Sequence, residues 1–325
     1  MQQSVLITGG AGYIGSVLVR LLLDNGFKVR VLDSLMFDNL SALESVLDRK
    51  DLTFIQGDIQ GADTLASAVD KVHSVIHLAA IVGDPACARN PELVEKVNLK
   101  ASRTLISMCM ERGVERFLFA STCSNYGKQE GDRMVTENDE LVPVSLYAET
   151  KVDIESFLLS SNRKDFCPCV FRLSTVFGLS PRMRFDLLVN EFTRDALLKH
   201  ELVVFGEQFW RPYICVSDVA RAFLLGLTID ATKIRGNTFN VGSNQQNFKK
   251  KAVVEIIDQH IPGTDVSYVE KDEDPRSYRV SFDKIHQQLG YATSVSVSEG
   301  VTEMKTAIEK GLFDDPFDVK YTNNR

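Results

Sequence analysis

At 325 residues the chain is long enough for two modest domains or for one large α/β unit with an appended lobe. It is 44% hydrophobic and 25% charged with a net charge of −7, which opposes a nucleic-acid binder, because such proteins carry a basic surplus or stripe. Its six cysteines form no C-x-x-C pair and no zinc-spaced cluster with histidine, and no apolar run approaches the roughly 18 residues that span a bilayer, so the expectation is a reduced cytoplasmic protein with no metal and no membrane partner.

Val5-Leu6-Ile7 predicts a buried strand. The turn T-G-G-A-G-Y-I-G-S (8–16) follows, and Ile14, Val17, Leu18, Leu21 and Leu22 then keep the spacing of an amphipathic helix, stopped by Asn25-Gly26. Further strands are expected at 29–32, 53–56, 75–79, 117–120, 170–173 and 238–241. A long helix carries Val94, Val97, Ala101, Leu105 and Met108 on one face, and others are expected at 146–161, 186–200 and 214–227. Cys167 and Cys169 share one face at strand period and read as core thiols. Repeated β-α-β with unbroken apolar strands means a parallel sheet covered on both sides. The expected fold is therefore α/β, a Rossmann doubly wound parallel sheet with a smaller, discontinuous C-terminal lobe. Residues 1–173 would form the sheet domain, to which the chain returns at about 213–241, and 174–212 with 242–325 would form the substrate lobe.

The glycine turn lies between a strand and a helix, as a dinucleotide fingerprint requires. Gly9 permits the tight turn, Gly12 lets the backbone approach a pyrophosphate, and Gly15 lets helix pack on strand. The helix N-terminus supplies free N–H groups for the anion. Asp33 ends the second strand, where a carboxylate accepts hydrogen bonds from a ribose diol and repels a 2′-phosphate. Ser34 and Leu35 offer no cation, so NAD is favoured over NADP. Asp58 stands where an adenine contact would fall, or is a surface turn residue. In Y-A-E-T-K (147–151) the i, i+4 spacing puts Tyr147 and Lys151 on one helix face. A nearby ammonium favours the phenolate, and such a tyrosine can take the proton of an alcohol while hydride leaves its carbon.

With these motifs in place the chain resembles the extended short-chain dehydrogenase/reductase family, in particular its NAD-dependent nucleotide-sugar epimerases and dehydratases. The resemblance runs from T-G-G-A-G-Y-I-G through H-L-A-A (77–80), S-T-C-S-N-Y-G (121–127), Y-A-E-T-K and F-R-L-S-T-V-F-G (171–178) to W-R-P-Y-I-C-V-S-D-V-A (210–220). It implies tightly held NAD, with Tyr13, Ile14, Ile59, Leu78, Ala79, Ala80, Asn98 and Lys151 joining Gly9, Gly12, Gly15, Asp33 and Asp58 along the cofactor. It also implies an NDP-sugar as substrate and a homodimer or higher oligomer through the helices at 91–112 and 146–161. Thr122, four residues before Tyr126, takes the family's hydroxyl role beside Tyr147.

Members that eliminate water across C5–C6 carry Asp-Glu after this threonine. Here Cys123 and Ser124 stand there, and neither is a good acid/base pair for that step. The expected reaction is oxidation at C4, by a 4-epimerase or a 4-dehydrogenase. The alternatives are a 4,6-dehydratase, an NADPH-dependent 4-keto reductase opposed by Asp33, or an inactive NAD-binding relative. Cys123 either faces the substrate with Ser124 or fills space behind the nicotinamide. By the same resemblance Arg211 and Arg276 grip the diphosphate and Asn190 reaches phosphate or sugar. Asp84 and Cys87 face the hexose or only shape their loop, and Arg182 and Arg184 touch phosphate or hold the lobe together. The loop 81–91 together with S-P-R-M-R-F-D-L-L-V-N resembles a bacterial surface-polysaccharide branch, that of GDP-heptose 4-dehydrogenase.

Overall fold

Seven apolar runs become seven strands of one parallel sheet: β1 (Ser4–Thr8), β2 (Lys28–Asp33), β3 (Leu52–Gln56), β4 (Ser74–His77), β5 (Arg116–Thr122), β6 (Cys167–Leu173) and β7 (Asn237–Val241). The structure is a computed structural model that describes residues 3–129, 133–270 and 276–323, except the side chains of Asp84 and Pro85. The strand order is β7-β6-β5-β4-β1-β2-β3. Ile7 of β1 pairs with Val31 on one side and Ile76 on the other, so the order reverses at β1. A crevice opens at the carboxyl ends of strands at such a point.

The strands read as unbroken apolar runs because both faces are covered. Val5 and Ile7 pack with Leu18, Leu22 and Phe223, whereas Leu6 between them packs on the other face with Leu105 and Phe119. Alternate residues of a strand point to opposite faces, and each face here meets a helical layer. On the first face lie α1 (Tyr13–Asp24) and Val216–Thr228; on the second lie α2 (Ala62–Val69), α3 (Ser102–Glu111) and α4 (Leu146–Ser160). Cys167 and Cys169 share the first face as core thiols, and all six cysteines are buried thiols outside any disulfide.

Two expected helices differ. The run from Pro91 to Glu111 is helical throughout but widens to a π turn at Glu95–Ala101. In the 214–227 helix, Ile214 and Cys215 instead belong to a strand, Trp210–Cys215, and the helix starts at Val216. Tertiary pairing decides this: Tyr213, Ile214 and Cys215 align with Thr175, Val176 and Phe177, completing a three-stranded sheet with Asn247–Lys249.

Around that small sheet stands a second core, built from the helices Leu188–Lys199, Lys250–His260 and Val297–Glu309. The parallel pair Glu201–Phe205 with Asp265–Val269 completes it, whereas the pair Met134–Val135 with Arg279–Val280 packs its Val135 and Val280 into the first core. No helix among the described residues is long and apolar enough to cross a membrane.

Candidate active site

One cavity of about 860 Å³ runs from the β1/β4 crevice into the second core. Its cofactor end is set by the glycine turn. Gly9 adopts φ 75°, and a Cβ there would come within 2.9 Å of the Ala79 amide nitrogen; at Gly15 a Cβ would overlap the Gly9 carbonyl oxygen. Only glycine lets the turn pack this tightly against the segment after β4, with the first turn of α1 lining the cavity. The Asp33 carboxylate accepts from the amides of Ala11 at 3.0 Å and Leu35 at 2.9 Å. Burial raises the Asp33 carboxyl above its usual range, against the opposing pull of those amides and of Arg182. The glycine cradle and the acid at the end of β2 together fit a dinucleotide with an unphosphorylated ribose.

Gly9, Gly12, Tyr13, Ile14, Gly15, Asp33, Asp58, Ile59, Leu78, Ala79 and Ala80 all line this cavity, as do Thr122, Ser124, Tyr147, Arg211 and Arg276. Asp58 is exposed, and its carboxylate accepts from the Gln60 amide at 2.8 Å. Asn98 acts at one remove. The π turn buries it and aims its side chain at the loop after β4, where it accepts from the Ile81 amide at 2.8 Å and donates to the Ile81 carbonyl at 2.9 Å.

The catalytic candidates come from two elements. Thr122 ends β5 and caps the short turn Cys123–Tyr126. Tyr147 and Lys151 are one turn apart on α4, which Ser145 caps by accepting from the Ala148 amide. Tyr147 is half-buried and Lys151 buried. The Lys151 ammonium donates to the Ala120 carbonyl at 2.8 Å and stands 5.8 Å from the Tyr147 ring and 4.6 Å from Phe119. Burial lowers the Lys151 pKa to about 8, against the opposing pull of Glu155.

The residues after Thr122 diverge. In a turn of about three residues, neighbours point to different sides. Ser124 faces the cavity, while Cys123, expected to face the substrate or fill space, is fully buried in the sheet core with its thiol directed at the Arg172 carbonyl at 3.3 Å. Burial also pushes that thiol far above its usual pKa. Ser124 Oγ accepts from Thr122 Oγ1 at 3.1 Å and from the Tyr278 hydroxyl at 3.3 Å. Both lone pairs are thereby used, so the serine proton is left to donate. Tyr278 is buried, lines the cavity and has the Arg211 guanidinium 5.4 Å from its ring. It was missed in the sequence, although it follows Arg276 at the two-residue spacing of an extended segment.

Two further assignments change. Asn190 does not reach the cavity; it accepts from the Gly178 amide at 2.9 Å and donates to the Arg184 carbonyl at 2.9 Å and the Tyr13 hydroxyl at 3.2 Å. Both amide hydrogens and the carbonyl oxygen thus brace the 178–184 segment and Tyr13. Cys87 is buried with its thiol 3.5 Å from the Ile81 carbonyl, under the loop rather than in the cavity. The side chain of Asp84 lies outside the described residues. Arg182 does line the cavity, and Arg184 is bidentate to Asp186 at 3.0 and 2.7 Å.

Beneath α4 lies a buried polar network absent from the sequence reading. Glu155, one turn beyond Lys151, receives two guanidinium bonds on Oε2 from Arg172 of β6, at 3.0 and 2.7 Å. Ser121 and Asn125 donate to its other oxygen. Arg172 also donates to the Tyr126 hydroxyl at 2.9 Å, which donates to Asn240 at 2.8 Å. This network fixes α4 against β5 and β6, and with them the relative placement of Thr122, Tyr147 and Lys151.

The profile of the NAD dependent epimerase/dehydratase family matches residues 5–242. A Bacillus subtilis protein described as an uncharacterized UDP-glucose epimerase, YtcB, is 31% identical over 312 residues, covering 92% of this chain and 95% of that one. The UDP-glucose 4-epimerase of Thermotoga maritima, solved with UDP-glucose, superposes with a TM-score of 0.84 at 26% identity, covering 96% of this chain and 100% of that one. The dTDP-glucose 4,6-dehydratase DesIV of Streptomyces venezuelae, solved with NAD and TYD, also superposes with a TM-score of 0.84, at 25% identity and 95% and 98% coverage. The chain therefore belongs to the NAD-dependent epimerase/dehydratase family of extended short-chain dehydrogenases, and its cofactor is NAD.

Proposed function

We propose that this protein oxidises C4 of a nucleotide-diphosphate sugar, as a 4-epimerase or a 4-dehydrogenase, in the making of surface-polysaccharide sugars. The observation that carries the reaction is the hydroxyl environment of Thr122. Among the described residues lining the cavity, the carboxylates are Asp33, Asp58 and Asp186. The first two lie at the cofactor end, and the third is held by Arg184. Beside Thr122 stand hydroxyls, Ser124 and Tyr278. This disfavours a 4,6-dehydratase, which needs an acid and a base at that place.

Bound NAD supplies the two-electron acceptor for oxidation at C4. Thr122 and Tyr147 hold the sugar 4-hydroxyl, and Tyr147 takes its proton. The Lys151 ammonium, seated behind the ring, stabilises the phenolate. Arg211 and Arg276 supply the guanidinium groups for the diphosphate. Ser124 donates to the sugar near the reacting carbon.

The test is a panel of NDP-sugars, with the near-ultraviolet absorbance of NADH followed and the product identified by proton NMR. A new C4 epimer with no lasting rise identifies an epimerase. A lasting rise with a 4-keto product identifies a dehydrogenase. A 4-keto-6-deoxy product would overturn the reading.

Two expected results belong here. Ser124→Ala should lower kcat/KM by about tenfold, the worth of one lost hydrogen bond, while Thr122 remains in place; initial rates on the active sugar measure it. The helices α3 and α4 lie side by side, with Arg103 bridging them to Phe157 (5.5 Å) and Asp153 (3.4 Å). The protein should be at least a dimer in light scattering at micromolar concentration, and a monomer would refute assembly through these helices.

A further inference from the structure

The segment 178–184, whose Arg182 and Arg184 were expected to touch phosphate or hold the lobe together, is fastened to the cofactor end. The Tyr13 hydroxyl donates to the Gly178 carbonyl at 2.6 Å. Ser180 Oγ donates to the Tyr13 carbonyl at 2.7 Å and lies 3.0 Å from Ser16 Oγ. Both anchors are in the first turn of α1, whose N-terminus faces the cavity. The second lobe is thus stapled to the helix that receives the pyrophosphate.

From this staple Arg182 reaches the adenosine end. It is buried, lines the cavity and stands close enough to Asp33 to pull on its charge. Its guanidinium lies 4.7 Å from the centre of the Phe37 ring. Phe37 also lines the cavity, in a loop held to the glycine turn by Asn39, which donates to the Ala11 carbonyl at 2.6 Å. On either side of Phe37, Leu35 and Asp38 adopt φ of 56° and 52°, a left-handed conformation costly for side-chain-bearing residues. That shape persists only where surrounding contacts enforce it. Behind Arg182 the chain crosses again. Arg182 donates to the Thr322 carbonyl at 3.2 Å, the Phe185 amide donates to the Tyr321 carbonyl at 2.8 Å, and Asn323 lines the cavity. The Tyr321 ring is wedged edge-on against Phe185 and Phe313.

We infer that Arg182 and Phe37 form a cross-lobe clasp on the adenosine half of NAD, contributed by opposite sides of the cavity, which keeps the dinucleotide in place through turnover. The clasp deepens the proposed reaction: an epimerase that returns hydride to its own sugar needs a cofactor that does not leave between its two half-reactions. A dehydrogenase that exchanges NADH for NAD each cycle needs the opposite.

The experiment measures NAD release without any sugar, so it stands or fails independently of the C4 reading. The holoenzyme is freed of unbound NAD, and released NAD is trapped by a coupled dehydrogenase whose NADH fluorescence is followed. Phe37→Ala and Arg182→Gln should each speed release by about tenfold or more, the worth of a desolvated cation–π contact. The double variant should release little faster than either single, because both changes break one clasp. Phe37 sits in a half-buried loop, so Phe37→Ala keeps the test open should Arg182→Gln fold poorly; circular dichroism and melting curves report folding. Unchanged release in folded variants would overturn the clasp. So would an Arg182→Gln variant that loses affinity for NADP but not for NAD, since the guanidinium would then be a reader of 2′-phosphate.

Discussion

Tyr147→Phe should lower turnover by about 10²- to 10⁴-fold while the protein still holds NAD. The substitution removes one oxygen and leaves the ring beside the Lys151 ammonium. Helix α4 keeps its Ser145 cap and its buried network, so the fold has no reason to change. Bound NAD is counted by releasing it from denatured protein, and turnover is followed by NMR on the active sugar. Normal turnover in this variant would sink the assignment of Tyr147 as the proton acceptor. Loss of NAD together with turnover would mean that the tyrosine serves binding rather than chemistry.

The second large effect concerns stability. Arg172 and Glu155 are a buried, bidentate ion pair with side chains only 7% and 3% exposed. Glu155→Ala leaves a guanidinium uncompensated in the core, which costs about 3–5 kcal/mol. That is a large share of the roughly 5–15 kcal/mol by which proteins are stable, so a strong fall in the urea midpoint is expected. Removing both charges, as in Glu155→Leu with Arg172→Met, should recover much of the loss, because the unpaired charge is then gone. A loss of under about 1 kcal/mol in the single variant would mean that the pair behaves like an exposed one. Activity should fall even where Glu155→Ala stays folded. Glu155 sits one turn beyond Lys151 on α4 and opposes the burial that lowers the lysine pKa to about 8. Without that carboxylate the ammonium is less stable, and a smaller fraction of lysine is charged at neutral pH.

The sequence by itself determined the parallel sheet, the glycine turn, Asp33 at the end of β2, and Tyr147 with Lys151 on one helix face. Each is a local property: an apolar run, a strand-turn-helix motif, or an i, i+4 spacing, so a short stretch of residues suffices. The tertiary structure decided the rest. Adjacent residues Cys123 and Ser124 part company, one into the core and one into the cavity, because a tight turn follows β5. Trp210–Cys215 becomes a strand because a partner strand from 175–177 lies alongside. Asn98 and Asn190 turn from presumed ligand contacts into braces for the Ile81 loop and the 178–184 segment. Tyr278 meets Ser124, Glu155 meets Arg172, and Arg182 meets Phe37, each across a separation that sequence period cannot bridge. Such pairs depend on how helices seat on the sheet and how the two lobes are stapled, and those placements exist only once the whole core has packed.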